Sequence, residues 1–389
     1  MNRKQLTILI VLVLLIGGAG LVLFNRQSNS WKPSDQKLGQ KLFPKFAVND
    51  VAQIHVKQSG AELNLVKKED LWRVLERGDY PANFSQISEL LLKASDLKIG
   101  QSEPIGASQF AKLELIDPAK GTNSGTLVEF KDQSGKTMQS AILGKKHMKK
   151  SARPSEFGDE GFADGRYVLL GNDAQNVFLI SDALTELEAK PENWLKKDFF
   201  KVERVRAISL VATNATNSWK LTRENENSAW SLADVKPTEP FDTNKVSGVA
   251  NSLSAPSFVD VVIDAKPDAE KSTVATLETF DDFVYTLNIS KASEENYRLK
   301  MTVNATTPKE RVAGKDEKPE DKTKLDKEFA DKKKQLEEKL KQEKALEKWT
   351  YLVAKWTIDP LLRDRAQLMV EKKEAPEKPD RILDPAEGK

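Results

Sequence analysis

Three short segments in the first half of the chain alternate apolar and polar residues, and a matching set recurs about 150 residues later. Taken in pairs, the segments are Val51-x-x-Ile54-x-Val56 and Val205-x-x-Ile208-x-Leu210, Leu63-x-Leu65 and Trp219-x-Leu221, and Trp72-x-Val74 and Trp230-x-Leu232. Alternation with a period of two is typical of half-buried antiparallel strands. The pattern therefore predicts two copies of a meander of three strands.

Each set of strands is followed by a proline and then by an amphipathic helix. Apolar residues follow Pro81 and Pro240 at the same four offsets, which form one face of a helix. These residues are Ile87, Leu90, Leu91 and Ala94 in the first copy and Val246, Val249, Ala250 and Leu253 in the second. The candidate N-terminal caps are Asn83 or Ser85 in the first copy and Asp242 or Thr243 in the second.

Further alternating segments complete each copy, and in both copies an aspartate follows the last of these segments. The matched segments are Leu127–Phe130 and Tyr285–Ile289, Gln139–Leu143 and Tyr297–Met301, Tyr167–Leu170 and Trp349–Val353, and Val177–Ile180 and Trp356–Ile358. Asp182 and Asp359 follow at equivalent places, and we expect each to cap a short closing helix. Each unit is thus predicted as β-β-β-α-β-β-β-β-α.

The predicted fold class is α+β, with a transmembrane helix followed by two duplicated, mainly antiparallel sheet-plus-helix units. The predicted segments are an anchor over 1–30, units over 31–200 and 201–370, and a disordered tail over 371–389. The residues that mark the repeat most clearly are Trp72, Pro81, Asp182, Trp230, Pro240 and Asp359. We assign them a structural role in the repeat.

Residues 6–24 are uncharged and almost wholly apolar, and they follow a short basic head. A helix of that length spans roughly the hydrocarbon core of a bilayer. A cleaved signal peptide ending near Ala19 is the alternative, but the apolar run continues to Phe24, which favours a retained anchor. Basic residues flank the apolar segment on both sides, so the positive-inside rule gives little information on its orientation in the membrane. The expected location is the bacterial inner membrane, single-pass, with the bulk of the chain in the periplasm.

The second unit contains a charged insertion over 306–348, where the first has a shorter loop over 145–165. Leu325, Phe329, Leu336 and Leu340 fall at helical spacing, which predicts a helix of roughly 25–30 residues. Two interpretations stay open. The helix either rests on its own unit, or projects as an arm that binds a partner.

The composition and the motifs argue against catalysis. The chain has no cysteine, which excludes disulfides and thiolate chemistry. It has two histidines, and its net charge of +2 disfavours nucleic-acid binding. Residues 134–137 read Ser-Gly-Lys-Thr, but Phe130 stands where a phosphate-binding loop needs glycine. The acidic loop 157–165 does not match an EF-hand, and His55 is expected to be an exposed strand residue. We predict no enzyme activity, no cofactor and no metal.

The basic head and apolar stretch, with Trp72-x-Val74 before Pro81 and the same pattern at Trp230 and Pro240, resemble the bacterial family called domain of unknown function 4340. The closing run Trp349-Thr350-Tyr351-Leu352-Val353 also fits, and the resemblance covers most of the chain past residue 30. Members of that family are typically membrane-anchored and encoded beside ABC-2-type transporters related to gliding-motility export systems. The resemblance implies an extracytoplasmic accessory subunit and supplies no catalytic residues.

The leading hypothesis is a membrane-anchored extracytoplasmic accessory or scaffolding protein that binds ABC transporter subunits. The alternative is a cell-envelope protein that binds a glycan or peptide ligand, and an envelope hydrolase is a third class. Clustered exposed aromatic residues such as Trp219 and Tyr285 would favour glycan binding. A flat apolar patch beside the anchor would favour a protein partner.

Overall fold

The computed structural model describes residues 37–121, 123–149, 161–171, 173–233, 240–263, 272–307, 310–313 and 317–370. The chain divides into two compact units, Met1–Lys196 and Lys197–Lys389. The predicted anchor over 6–24, the tail over 371–389 and the first part of the acidic loop lie outside the described residues. Within the described ranges, no helix is both long enough and apolar enough to cross a membrane.

The first unit is one antiparallel sheet with a helix against it. Its strands are β1 (Gln53–Gln58), β2 (Ala61–Lys68), β3 (Leu71–Val74), β4 (Tyr80–Pro81), β5 (Ile99–Pro104), β6 (Thr126–Lys131), β7 (Thr137–Lys149), β8 (Phe162–Leu170) and β9 (Asp173–Ile180). Their order in the sheet is β4-β3-β2-β1-β6-β7-β8-β9-β5. Helix α1 (Phe84–Asp96) buries Ile87, Leu90 and Ala94. Each large apolar side chain buried there stabilises the unit by about 1.5–3 kcal/mol.

A second, smaller apolar cluster lies under the segment between β5 and β6. Leu115, Leu169 and Val177 form its buried centre, and Phe110 from the 3-10 helix Ala107–Leu113 packs against them. The segment approaches β7 so closely that a Cβ atom on Gly144 would overlap the carbonyl of Leu113. Glycine is therefore needed at that position for the segment to cover the sheet.

The second unit repeats the same topology. Its strands are β10 (Val205–Val211), β11 (Trp219–Thr222), β12 (Ser231–Leu232), β13 (Asp260–Val262), β14 (Thr273–Thr279), β15 (Phe283–Lys291), β16 (Asn296–Ala305) and β17 (Thr350–Ala354). Their order is β12-β11-β10-β14-β15-β16-β17-β13. Helix α2 (Thr243–Asn251) buries Val246, Val249 and Ala250. Apart from the additional edge strand β4 of the first unit, the two units share one strand order, which confirms an α+β fold with two antiparallel sheets.

The sheet order corrects the predicted matching of the later strands. Strand β6 corresponds to β14, so the predicted match between Leu127–Phe130 and Tyr285–Ile289, which lies in β15, is wrong. Strand β7 corresponds to β15 and β8 to β16, so the predicted pairs are displaced by one strand. The alternating segments did not predict four of the strands, which are β4, β5, β13 and β14. Trp356–Ile358 lies in the four-residue helix α4 (Lys355–Ile358) and is not a strand.

The N-termini of α1 and α2 are each hydrogen-bonded to the C-terminal segment of their own unit, and in the same way. The backbone N–H of Asn83 donates to the carbonyl of Trp194, and that of Asp242 donates to Leu368, each at 2.8 Å. The side chain of Asn83 accepts from the N–H of Gln86, and that of Asp242 accepts from two N–H groups of α2. Asn83 and Asp242 are therefore the N-terminal caps, and each is one of the two candidates predicted for its helix.

Asp182 and Asp359 do not cap closing helices, so that prediction is wrong. Asp182 accepts the N–H of Leu184 at 2.8 Å in a turn, and Leu184 has a positive φ of 44° that ends any helical path. Asp359 follows the last residue of α4 and accepts the hydroxyl of Tyr297 at 3.1 Å. The units close instead with the 3-10 helices Pro191–Trp194 and Arg365–Leu368.

The charged insertion forms helix α3 (Pro319–Lys344), of 26 residues. It lies between β16 and β17, so its counterpart in the first unit is the turn between β8 and β9 and not the loop 145–165. The predicted stripe, represented by Phe329 and Leu340, is half-buried. Lys332 pairs with Asp281 at 2.9 Å. The described length of α3 therefore packs against its own unit.

Candidate functional site

The solvent-facing side of α1 carries two large apolar residues. Phe84 is 65% exposed and Leu92 is 60% exposed, although both belong to a helix whose other face is fully buried. They lie eight residues apart, which places them on the same side of the helix with Ser88 midway between them. Exposed large apolar side chains that share one face are a typical feature of protein contact surfaces.

A shallow depression runs along this side of α1 between two rows of side chains. One row is Phe84, Ser88, Leu92 and Asp96, and the other is Ser85, Glu89 and Lys93. Within each row the residues are four positions apart, which is the spacing of the ridges that helices use to pack together. We call these seven residues the α1 groove. The small side chain of Ser88 lies between Phe84 and Leu92, and that of Ser85 lies at the N-terminal end of the groove.

The charged side chains at the end of the α1 groove are paired within the first unit. Lys93 lies 3.3 Å from Glu89 and 2.6 Å from Glu186, and the hydrogen bond to Glu186 raises the pKa of Lys93 above 10.5. Asp96 pairs with Lys41 at 2.9 Å. Lys93 is shared by two carboxylates, so these side chains together carry one excess negative charge at this end of the groove, away from Phe84.

The equivalent side of α2 is polar. Because Asn83 and Asp242 cap the two helices in the same way, the residues can be matched position by position. Thr243 then stands in place of Phe84, and Asn251 in place of Leu92. The buried positions stay apolar in both helices. The apolar surface is thus a property of the first unit and not a requirement of the fold.

The segment that precedes the first unit lies beside the C-terminal end of α1. Lys41 pairs with Asp96 through its side chain and forms a backbone bridge with Lys98 just after the helix. The described chain begins at Lys37, four residues earlier. The Asp96 end of the α1 groove is therefore close in space to Lys41, near the first described residue of the unit.

The two aromatic residues that would have indicated glycan binding are both buried. Trp219 is 5% exposed and donates its indole N–H to the carbonyl of Arg363 at 2.7 Å. Tyr285 is fully buried and donates its hydroxyl to Glu343 at 2.8 Å, and burial raises the pKa of Tyr285. Neither ring is available as a platform for a sugar.

The partner of Tyr285 is a buried carboxylate from the charged helix. Glu343 is the one residue of α3 that is fully buried, and it also accepts the backbone N–H of Lys201 at 3.0 Å. Burial raises the pKa of Glu343 above 4.5, and the hydrogen bonds from Lys201 and Tyr285 oppose this effect without cancelling it. The group fastens α3 to the sheet, which is a structural role.

His55 is largely covered, so its prediction as an exposed strand residue is wrong. Its side chain is 13% exposed, with Nδ1 2.8 Å from Glu129 and Nε2 2.7 Å from Glu62. Side chains from β2 and β6 flank it on both sides. The hydrogen bond with His55 lowers the pKa of Glu62. Across the described ranges, no three histidine or carboxylate side chains are placed to hold a metal ion.

The second histidine and the Ser-Gly-Lys-Thr segment have ordinary structural surroundings. His147 Nδ1 lies 2.6 Å from Asp164 on the neighbouring strand. The segment 134–137 forms the turn between β6 and β7, where Asp132 accepts N–H groups of Ser134 and Lys136. This hairpin agrees with the interpretation against a phosphate-binding loop.

The residues that mark the repeat serve the packing of their own units and do not line the α1 groove. Trp72 is buried in β3, and Pro81 lies in β4. Trp230 is half-buried beneath the guanidinium of Arg223, 4.7 Å from its ring centre. Pro240 accepts the backbone N–H of Val370 at 3.1 Å.

Phe84 and Leu92 were not predicted as surface residues, because the apolar periodicity of α1 indicates only the face that is buried. Phe84 and Leu92 are large, apolar and out of phase with Ile87, Leu90 and Ala94. That mismatch is the signal that could have found them.

Comparison with known families gives one match. A family described as "Domain of unknown function (DUF4340)" matches residues 72–279, a little over half of the 389-residue chain. The match starts at Trp72 in β3 and ends at Thr279, the last residue of β14, so it includes α1 and α2. No curated protein and no solved structure matches the chain. This protein belongs to the DUF4340 family.

Proposed function

We propose that this protein is a membrane-anchored extracytoplasmic accessory or scaffolding subunit that binds a transporter complex of the ABC type through the α1 groove. The observation that carries the proposal is the exposure of Phe84 and Leu92 on α1, where α2 has threonine and asparagine. The first unit exposes large apolar side chains at two positions where the second unit has polar ones. A protein partner is the best explanation of this difference. The proposal gives the chain no catalytic step.

The anchoring part of the proposal rests on residues 6–24 and on the position of the α1 groove. At no more than about 3.5 Å per residue, the chain between residues 24 and 37 spans at most roughly 45 Å. Lys41 ties the start of the unit to the end of α1 at Asp96. An inner-membrane anchor with the units in the periplasm would therefore hold Lys37 within that distance of the bilayer, with the Asp96 end of the groove close to it.

The alternative of a glycan-binding protein has less support. It relied on exposed aromatic side chains, and Trp219 and Tyr285 are both buried with their polar atoms bonded inside the second unit. The large exposed aromatic residues of the described chain are Phe84, Phe162 and Trp356, which lie on α1, β8 and α4.

The experiment that tests the proposal is in-cell crosslinking of the tagged full-length protein, followed by capture in mild detergent and mass spectrometry. A version in which a cleavable signal peptide replaces residues 1–30 is the control for anchoring. We expect ABC permease and ATPase subunits with the full-length protein and a clear reduction with the control. Recovery of the full-length protein without any transporter subunit would contradict the proposal.

A further inference from the structure

We infer that the α1 groove receives an α-helix of the partner protein, packed with an uncharged apolar ridge over Ser88. This inference rests on the proposed function and specifies the contact. It concerns the kind of structure that the partner presents. Neither the family match nor the anchor segment provides that information.

The shape of the groove fits a helix. Its two walls are rows of residues four positions apart, Phe84 to Asp96 on one side and Ser85 to Lys93 on the other. A ridge of a second helix with the same spacing fits between such rows, with the helix axes crossing at about −50° and about 8–10 Å apart. Ser88 is small, so it allows this close approach between Phe84 and Leu92.

The charges disfavour an acidic ridge. Lys93 is shared by Glu89 and Glu186, and Asp96 is paired with Lys41, so this end of the groove carries one excess negative charge, which repels an acidic partner side chain. An anionic lipid surface is attracted by clustered unpaired lysines and arginines, and these paired side chains do not form such a cluster. The complementary surface is therefore an apolar protein ridge.

The size of the groove fits a contact that is reinforced by the membrane. Two exposed apolar side chains on one helix form a contact smaller than a standard stable interface, which buries about 1,200–2,000 Å². Anchoring both proteins in one membrane raises their effective concentration and lets such a contact be occupied. This favours a partner held in the same membrane over a soluble one.

The first test places a photo-crosslinking residue, p-benzoylphenylalanine, at Phe84 of the full-length protein in cells, where it replaces one exposed aromatic ring by another and leaves the groove open. The matched control places it at Thr243, the equivalent position of α2. We expect the probe at Phe84 to crosslink to a transporter subunit at residues three or four positions apart, on the apolar side of one helical segment. The probe at Thr243 should give no such product.

A second test uses the size of the side chain at position 88. Ser88→Phe fills the groove, whereas Ser88→Ala leaves it open. Residue 88 lies on the solvent side of α1, where folding tolerates both substitutions. We expect Ser88→Phe to reduce the captured transporter subunits by about tenfold and Ser88→Ala to leave capture unchanged. Ser247→Phe is the control for a new exposed aromatic residue.

The outcomes separate this inference from the proposed function. If the transporter is captured but the probe at Phe84 crosslinks to lipid, to a second copy of the chain or to nothing, the helix inference is wrong and the proposed function stands. Equal capture by Ser88→Phe and the parent protein also contradicts the inference. If the parent protein captures no transporter subunit, the proposed function itself fails.

Discussion

The hydroxyl of Tyr285 donates a hydrogen bond of 2.8 Å to the carboxylate of Glu343, and both groups are buried in the second unit. Tyr285 belongs to β15 in the middle of the sheet, and Glu343 to the end of the inserted helix α3. A helix whose other residues are exposed or half-buried is thus fixed by one buried polar pair. Helix α3 is therefore part of the second unit's structure along this contact.

The buried carboxylate makes the stability of the second unit depend on pH. Burial raises the pKa of Glu343 above 4.5, so the folded state holds the proton more tightly than the unfolded state. Its contribution to stability is therefore largest below about pH 4.5 and declines as the pH rises through the raised folded value. We expect the free energy of unfolding of the parent protein, relative to Glu343→Gln, to fall between pH 4.5 and 7.

Urea unfolding of both proteins over that pH range gives the difference directly, because the titration of all other groups cancels. A difference that stays constant, or one that grows as the pH rises, would contradict the assigned direction of the shift.

Glu129 in the first unit should behave in the opposite sense. Burial acts to raise its pKa, but hydrogen bonds from His55 and Lys131 outweigh burial and hold the pKa below 4.5. The stabilising contribution is then present above pH 4.5 and is lost as the pH falls through the lowered folded value. Because Glu129 is partly exposed, we expect Glu129→Gln to lower the free energy of unfolding by about 1 kcal/mol at pH 7.

The measurement is chemical unfolding at pH 7 and at pH 3, where the difference between the two proteins should become small. An equal or larger difference at pH 3 would show that the charged form of Glu129 is not what stabilises the strands.

Gly144 should be the glycine of the first unit that least tolerates a methyl group. A Cβ atom there would overlap the carbonyl of Leu113 and lie 2.7 Å from a side-chain carbon of Leu115. We expect Gly144→Ala to lower the free energy of unfolding by about 1–3 kcal/mol, since the covering segment must move off β7. Gly106→Ala is the matched control, because its nearest neighbour is 4.0 Å away. Equal denaturation midpoints for the two variants would contradict the close packing of this segment.

The parts of the fold that the sequence predicted are those with a strict period. The alternation in β1, β2 and β10 fixes which side of each strand is buried, since one face of each sheet packs against a helix. The helices α1 and α2 followed from the 3.6-residue period and from their caps, Asn83 and Asp242. Duplication was visible because both periods recur at the same offsets.

The later strands were displaced because short alternating segments resemble one another. Strand β14 contains threonine and alanine at several positions, so its pattern is weaker than that of β15, which was matched in its place. Only the hydrogen-bonded order of the strands distinguishes them. Asp182 and Asp359 were misassigned for a similar reason, because aspartate is favoured in turns as well as at helix caps.

The α1 groove could be predicted only in part. Periodicity gives the side of a helix that is buried, but an apolar residue on the other side can be covered by another segment of the same chain. The exposure of Phe84 and Leu92 became known only with the surrounding structure in place. The contrast with Thr243 and Asn251 could have been found from the sequence once the two caps were aligned.

The most direct test of a partner at the α1 groove is to give α1 the polar residues of α2. The full-length protein with Phe84→Thr and Leu92→Asn is compared with the parent protein and with Leu71→Thr, which removes an equally exposed apolar residue from β3. Circular dichroism checks that all three are folded, and quantitative mass spectrometry measures the transporter subunits captured after in-cell crosslinking. We expect the double variant to lose at least about 90% of the captured subunits, as expected when two central apolar contacts are removed, and Leu71→Thr to retain them. Full capture by a folded double variant would contradict the role assigned to the α1 groove.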